Sequence, residues 1–221
     1  MDVEDVMRTT FAARDFTDEP VPDGVIRRIL EDARFAPSGG NRQGWKVIVV
    51  RDASTREALM PLMAPAAQRY VAQVRAGEAP WNTVHATRLS AAEIAATPVP
   101  EAMIRKLASA PVLLFVFVDL AVVAAMDQNL DRVGVIAGAS IYPFAWNIVL
   151  AARNLGYGGT LTTFVGAEEP KLKTLLGVPG QMAFAAMIPL GRPVKQLTRL
   201  SRKPVDEFAT LERWQGAPLG D

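Results

Sequence analysis

The chain of 221 residues contains no cysteine and only one histidine, His85. The absence of cysteine excludes disulfides, thiolate metal ligands and a cysteine nucleophile. One histidine excludes a multi-histidine metal centre, and we interpret His85 as a structural residue. A serine hydrolase using Ser38 or Ser140 is disfavoured because the sequence has no Gly-x-Ser-x-Gly elbow. We therefore predict neither a metal site nor a catalytic side-chain nucleophile.

A large excess of charge of either sign is also missing. Lysine and arginine total 24 against 23 aspartates and glutamates, which gives a formal net charge of +1. This balance gives no reason to expect nucleic acid or an anionic membrane as a partner. No basic-then-apolar signal segment follows the acidic start Met1-Asp2-Val3-Glu4-Asp5, so we expect a cytoplasmic protein.

One uncharged run, Val133 to Ala152, has the 20 residues of a membrane span. Glycines, Pro143 and polar residues such as Asn147 lower its mean hydropathy, and charged residues flank it closely. We interpret this run as part of a buried helix at 132–155 and not as a span. A helix that is apolar on every side must be covered on every side, which favours a homodimer interface.

The composition is that of one globular domain over residues 1–221, with half the residues apolar and 21% charged. Strands and helices mixed without strict βαβ alternation predict an α+β fold, a central sheet flanked by helices. Residues 78–107 are polar and rich in proline, and they suggest an excursion that covers something. Helices are predicted at 2–11, from an Asp23 N-cap to about 36, and at 54–77, 132–155, 169–176 and 204–212. Strands are predicted at 46–50, 111–118, 160–164 and 183–190.

A polar loop at 36–45 is the first segment that could hold a ligand. Its glycines allow the backbone to approach a flat molecule closely. Asn41 and Gln43 carry amide donors and acceptors that suit the edge of a heterocycle. The alternative is an ordinary loop in which Trp45 belongs to the core.

A glycine-rich loop at 155–163 is the second such segment. Gly156, Gly158 and Gly159 expose backbone N–H groups, and we expect a positive φ at Gly159. The spacing is neither a dinucleotide fingerprint nor a P-loop. The alternative is a simple glycine C-cap and turn.

Basic residues near the two ends of the chain form the third candidate. Arg8 and Arg14 lie near the start, and Arg199, Arg202 and Lys203 lie near the end. Folding could bring these two groups together around a phosphate. The alternative is a solvated surface.

A series of motifs runs along almost the whole chain. In order, it consists of Arg14-Asp15-Phe16, Pro20-Val21-Pro22, Ile29-Leu30-Glu31-Asp32-Ala33, the loop 36–45, Ala110-Pro111-Val112, Leu155-Gly156-Tyr157-Gly158, Leu190-Gly191-Arg192-Pro193 and Arg202-Lys203-Pro204-Val205-Asp206-Glu207. In this order and spacing they resemble the FMN-dependent nitroreductase family. The resemblance implies an intertwined α+β homodimer with a mostly antiparallel sheet and FMN sites at the subunit interface.

The resemblance also assigns roles to individual residues. The family usually opens with Arg-Arg-Ser-x-Arg, and here only the last arginine, Arg14, is kept; it is expected at the pyrimidine edge of the flavin. Arg8 and the Thr10 hydroxyl are candidate replacements at the phosphate. Arg202 and Lys203 are expected to grip the phosphate, Ser38 and Asn41 to line the ring or ribityl chain, and Gly158, Gly159 and Thr160 to offer N–H groups toward N5.

The function implied by the resemblance is reduction of a small nitroaromatic- or quinone-like acceptor by NADH or NADPH through FMN, in ping-pong turnover. The longer stretch at about 66–107, which includes the excursion, is expected to act as a lid. Tyr70 and Trp81 are candidates for stacking on the acceptor, and structural packing is the alternative for both. Reductive dehalogenation, oxygen-dependent chemistry and non-catalytic flavin binding remain alternatives for the whole chain.

Overall fold

The computed structural model describes residues 1–220. Within that range the chain forms seven α-helices and four β-strands. The helices are α1 (Val3–Thr9), α2 (Asp23–Ala33), α3 (Ala53–Arg75), α4 (Ala91–Ala96), α5 (Glu101–Ala108), α6 (Tyr142–Asn154) and α7 (Glu169–Leu176). The strands are β1 (Trp45–Val50), β2 (Val112–Asp119), β3 (Gly158–Gly159) and β4 (Met182–Gly191).

The strands make one sheet in the order β1-β2-β4-β3, and each neighbouring pair is antiparallel. Strand β2 lies inside the sheet and is buried from Val112 to Val118. Because both faces of this strand are covered, its sequence is a continuous apolar run without alternation. The predicted α+β fold with a central antiparallel sheet is therefore confirmed.

Helices cover both faces of the sheet. Helices α2 and α6 pack on one face, where Ile29 and Ile148 belong to the same buried cluster. Helices α3, α5 and α7 cover the other face, and Leu59, Leu107 and Leu172 belong to the cluster there. None of the helices within residues 1–220 is long and apolar enough to cross a membrane.

The helix predicted at 132–155 is shorter than expected. It begins at Tyr142, after a 3-10 turn at Ile136–Ser140. The buried Asp127 carboxylate accepts hydrogen bonds from the backbone N–H groups of Val135 and Ile136, which fixes this part as a loop. The hydrogen bond from Val135 is the largest cause that lowers the pKa of Asp127, and the bond from Ile136 lowers it further. The preceding Val133 is more than half exposed instead of buried.

The predicted strand at 160–164 is also wrong, and Pro189 explains why. Continuing the β3–β4 register would place Thr160 opposite Pro189, where two residues of an antiparallel pair exchange hydrogen bonds. Proline has no N–H to donate, so the ladder stops after Gly159. Only Thr162 pairs again, with Met187, before a 3-10 turn begins at Phe164.

Smaller corrections concern helix ends. Pro22 occupies the N-cap of α2, and Asp23 is the first helical residue, with its carboxylate 2.7 Å from Arg51. The predicted helix at 204–212 is reduced to a 3-10 turn at Val205–Glu207. The first helix ends at Thr9, because the Thr10 backbone is extended.

Candidate functional site

The N-terminal segment lies directly against the glycine-rich loop. The Ala13 N–H donates to the Gly159 carbonyl at 3.1 Å, and Ala12 pairs with Gly159 in a parallel bridge. A Cβ at Gly158 would lie 3.0 Å from the Ala13 Cβ, so this contact requires glycine. The fold thus joins two segments 145 residues apart in sequence and places Arg14 beside the glycine loop.

The glycine loop differs from the expectation in its backbone. Gly158, Gly159 and Thr160 are buried, and Gly159 does not adopt a positive φ; Gly156 does, at 81°. A Cβ at Gly159 would lie 2.9 Å from the Pro189 carbonyl oxygen and 3.0 Å from Ile188 Cγ2. Glycine is therefore needed at 159 for close packing of β3 on β4.

We expect Gly159→Val to reduce the stability of the whole fold. Forcing a branched side chain into this contact should lower the free energy of unfolding by about 1–3 kcal/mol. Gly180→Val is the matched control, because a Cβ at Gly180 meets nothing within 4 Å. Chemical denaturation compares the two variants. If Gly159→Val kept wild-type stability but lost flavin, Gly159 would instead be needed for ligand binding and not for packing of the sheet.

One arginine of the N-terminal basic group and two of the C-terminal group converge on one pocket. A cavity of about 520 Å³ is lined by Arg8 from α1 and by Arg199 and Arg202 from the C-terminal tail, the segment that follows β4. No carboxylate is among the lining residues. Arg8 is also paired with Glu4 at 2.7 Å on the helix surface. The Gln196 amide ties the tail to the Thr9 carbonyl at 3.0 Å, close to the segment that meets the glycine loop.

Three other basic or hydroxyl candidates lie outside this pocket. Lys203 is exposed and lies 3.8 Å from Glu207. The Thr10 side chain is buried, and its hydroxyl donates to the Val6 carbonyl at 2.6 Å, so its proton is not available to a phosphate. Arg14 is exposed, and its only hydrogen bond within residues 1–220 is a long one, 3.4 Å, to the Ala12 carbonyl.

The polar loop before β1 has a strained backbone. Asn41 and Gln43 adopt positive φ values of 53° and 49°, which are uncommon for residues other than glycine. The Ser38 hydroxyl accepts from the Gln43 N–H at 2.9 Å and closes the loop. Asn41 and Gln43 are exposed, whereas Trp45 stacks on Phe144 at 4.6 Å in the core. The loop therefore exposes two amide groups on a fixed base, and the Gln43 amide nitrogen donates to the Asn41 side-chain oxygen at 3.1 Å.

Within one chain the polar loop and the glycine loop lie at opposite ends of the sheet. The polar loop leads into Trp45, which pairs with Val118, whereas Gly159 pairs with Leu190, the partner of Val112. Val118 lies six positions after Val112 in β2, which corresponds to about 20 Å. One flat ligand of ordinary size cannot touch both loops of the same chain.

A further cavity adjoins the glycine loop. Tyr70 and Trp81 line it together with Thr163 and Phe164, and its volume is about 510 Å³. The sequence suggested the two aromatic residues of the excursion but not their partners after the glycine loop. Phe164 belonged to the wrongly predicted strand, so its place in this wall could not be foreseen.

The family profile described as the Nitroreductase family matches residues 7–192. The chain belongs to this family. Curated relatives include an NADH dehydrogenase of Thermus thermophilus, 28% identical over 87% of each chain, and a nitrobenzene nitroreductase of Ectopseudomonas oleovorans, 25% identical over 95% of this chain and 96% of the relative. Human iodotyrosine deiodinase 1 is 26% identical over 89% of this chain and 64% of its own length.

Solved structures of the family share the fold. A nitroreductase with bound FMN from Desulfitobacterium hafniense superposes with a TM-score of 0.62 at 22% identity, covering 96% of this chain and all of the other. An iodotyrosine deiodinase bound to FMN and 3-iodo-L-tyrosine superposes with a TM-score of 0.66 at 18% identity, covering 92% and 96%. The chain thus has the fold of these structures.

Proposed function

We propose that the protein holds FMN and uses NADH or NADPH to reduce a small nitroaromatic- or quinone-like acceptor. The observation that carries this proposal is the pocket of Arg8, Arg199 and Arg202, which has no carboxylate among its lining residues. The N-terminal segment that supplies Arg8 also contacts the glycine loop, through the Ala13 N–H and the Gly159 carbonyl. Guanidinium groups suit a phosphate because they donate in a planar fork. The sequence has no adenosine-binding fingerprint, which favours FMN over FAD. FMN-bound relatives and a relative called NADH dehydrogenase support the same choice.

We propose that residues 1–221 act as one domain and that the site is shared between two copies in an intertwined homodimer. One copy would supply the glycine loop, Arg14 and the basic pocket, and its partner would supply the polar loop with Ser38 and Asn41. The separation of about 20 Å between these loops in one chain supports this arrangement. Sedimentation of the purified protein should give about twice the 23.9 kDa chain mass.

The exposed surface supports the same dimer. Strand β1 has one edge without a strand partner within residues 1–220, beside a groove lined by α2 and Val49. An unpaired edge strand is a ready template for another chain. The tail carries exposed apolar side chains, among them Phe208 and Trp214, the latter 94% exposed. These side chains would be covered if the tail of one copy crossed the groove of its partner.

Bound FMN would supply hydride transfer between nicotinamide and acceptor. The protein's residues bind and orient the reactants and stabilise charge. Arg14 would lie against the N1–C2=O edge of the ring, where a fixed cation favours the reduced form. The amides of the polar loop would offer hydrogen-bond donors and acceptors to the edge of the flavin ring. No step requires a side-chain nucleophile.

We expect Arg14→Gln to lower the flavin midpoint potential by a few tens of millivolts. The guanidinium would stabilise the reduced ring by about 1–2 kcal/mol more than the oxidised ring. For a two-electron couple, about 1.4 kcal/mol corresponds to roughly 30 mV. A redox titration measures this shift. Unchanged potential with weaker FMN binding would assign Arg14 to the phosphate, and no change in either would remove it from the site.

Reductive dehalogenation is a second candidate, favoured by the similarity to iodotyrosine deiodinase over most of this chain. Oxygen-dependent chemistry and a flavin carrier without activity are the remaining possibilities. Steady-state oxidation of NADH and NADPH, with and without a nitroaromatic compound, tests the main proposal. Oxidation that accelerates with the nitroaromatic supports it, whereas release of iodide from an iodinated phenol without nitroaromatic turnover favours the second candidate.

A further inference from the structure

The cavity between α3 and the turn after the glycine loop has an unusual lining. Six of its residues are Ala66, Tyr70, Pro80, Trp81, Thr163 and Phe164, and the others are small. No charged side chain is among them, and the volume of about 510 Å³ suits a small organic molecule. The Tyr70 and Phe164 rings meet edge to face at 5.8 Å. The walls are therefore aromatic and uncharged, and two of their rings pack against each other.

The cavity borders the glycine-rich loop of the proposed flavin site. Thr163, the last residue of the glycine-rich loop at 155–163, lines the cavity and follows Thr160 by only three positions. Three residues of extended chain span about 10 Å at most. Thr162 exchanges hydrogen bonds at 2.9 Å with Met187 of β4, so this connection is fixed to the sheet. A molecule in the cavity would lie next to the loop that is proposed to face the flavin.

Trp81 forms one wall in a strained backbone conformation. Its φ of 53° lies in the left-handed region, which a bulky residue rarely adopts. Such a conformation costs on the order of 1–3 kcal/mol and persists only where the surroundings enforce it. The Arg69 guanidinium lies 4.2 Å from the centroid of the indole ring, and the indole N–H points to the Ala66 carbonyl at 3.4 Å. The ring is thus held on more than one side.

Gln73 of α3 enforces the backbone of Trp81. Its side chain is 2% exposed, and its oxygen accepts from the Trp81 N–H at 3.1 Å. Its amide nitrogen donates to Glu78 at 3.2 Å. Glu78 in turn accepts from the Thr87 hydroxyl and from the Arg88 N–H, and these bonds lower the pKa of Glu78 to about 2. The carboxylate therefore remains ionised, and the turn stays fixed, throughout the neutral range.

We infer that this cavity binds the flat ring of the acceptor, that Trp81 determines which rings fit, and that Gln73 is the positioning residue for Trp81. The inference rests on the proposed function and specifies its substrate class. An uncharged lining accepts a neutral aromatic ring, whereas an aromatic amino acid would bring two charges without partners into it. The acceptor is therefore a neutral ring and not a zwitterion.

Equilibrium dialysis of the purified protein, without nicotinamide, tests this inference with two probes that share one ring. 4-Nitrotoluene is neutral, and 4-nitro-L-phenylalanine carries the amino-acid group. The wild type should bind nitrotoluene at least about ten-fold more tightly. Equal affinity, or tighter binding of the amino acid, would overturn the neutral-ring assignment.

The variants separate the roles of the two residues. Trp81→Leu should weaken nitrotoluene binding about five- to ten-fold through loss of ring contacts. Gln73→Met should give a similar loss. Gln73→Glu should restore part of it only at acidic pH, because a protonated carboxyl can accept from the Trp81 N–H and donate to Glu78, whereas an ionised one would repel the Glu78 carboxylate. Val84→Ala, an exposed change in the same segment, is the control. Wild-type affinity in Trp81→Leu would refute the assignment, and wild-type affinity in Gln73→Met alone would remove Gln73 from it.

The flavin content of the same samples keeps this test separate from the proposed function. The variants should retain the FMN content of the wild type, because none of these residues belongs to the basic pocket or the glycine loop. Protein without flavin that still binds nitrotoluene through Trp81 would contradict the proposed function and leave the ring-binding cavity standing. Protein with full flavin but without preference for nitrotoluene would have the opposite meaning.

Discussion

Arg202→Gln is expected to weaken FMN binding by about ten- to hundred-fold. Arg202 lines the basic pocket with Arg8 and Arg199, and a charge-assisted hydrogen bond to a phosphate contributes about 1.5–3 kcal/mol. Fluorescence titration of the stripped protein with FMN measures the loss. The difference from the wild type should shrink at high salt, because an exposed ionic contact is screened.

Arg75→Gln is the control for this change, because Arg75 is an exposed residue in the last turn of α3 and does not line the pocket. It removes one positive charge with no expected effect on FMN. Loss of affinity in both variants would indicate a long-range effect of net charge. Wild-type affinity in Arg202→Gln would show that the phosphate binds elsewhere. Lys203 and Arg14 would then be the remaining candidates to hold it.

A mixed dimer, made of two chains that carry different damaging substitutions, should bind flavin although the homodimer of each variant does not. Asn41→Val damages the polar loop, since a branched side chain resists the φ of 53° at this position. A second variant carries Arg199→Gln and Arg202→Gln in the basic pocket. If each site combines the polar loop of one copy with the basic pocket of its partner, a mixed dimer has one intact site and one doubly damaged site. It should bind one FMN.

Two affinity tags isolate the mixed dimer after co-expression, and absorbance gives flavin per dimer. Each parent homodimer should be nearly empty, since both of its sites are damaged. A mixed dimer as empty as its parents would place the whole site within one chain. Full flavin in the Asn41→Val homodimer would remove the polar loop from the site altogether.

The central elements of the fold could be predicted because their sequence patterns have one interpretation. The apolar run of β2 is continuous because the strand is covered on both faces. The sequence predicts a helix at 169–176, and α7 has these bounds. The start of α6 was not predictable from hydropathy, because it depends on the Asp127 carboxylate and its hydrogen bonds to Val135 and Ile136. The end of β3 depends on Pro189, a residue of another strand.

The candidate site was predictable to a similar degree. Motif order suggested that the N-terminal segment, the glycine loop and the tail belong together, and the structure brings Arg8 to Arg202 and Ala13 to Gly159. The orientation of the Thr10 hydroxyl toward the Val6 carbonyl could not be predicted, because it depends on where α1 ends. The role of Gln73 had no signal in the sequence, since a glutamine inside a helix is ordinary until the turn that it holds is known.

The most direct test is the visible spectrum of the purified protein during anaerobic reduction. We predict a yellow protein that releases FMN on heating, identified by mass spectrometry. Its flavin absorbance should bleach when NADH or NADPH is added and return when a nitroaromatic compound follows. Release of FAD, or a colourless protein that takes up no added FMN, would contradict the account.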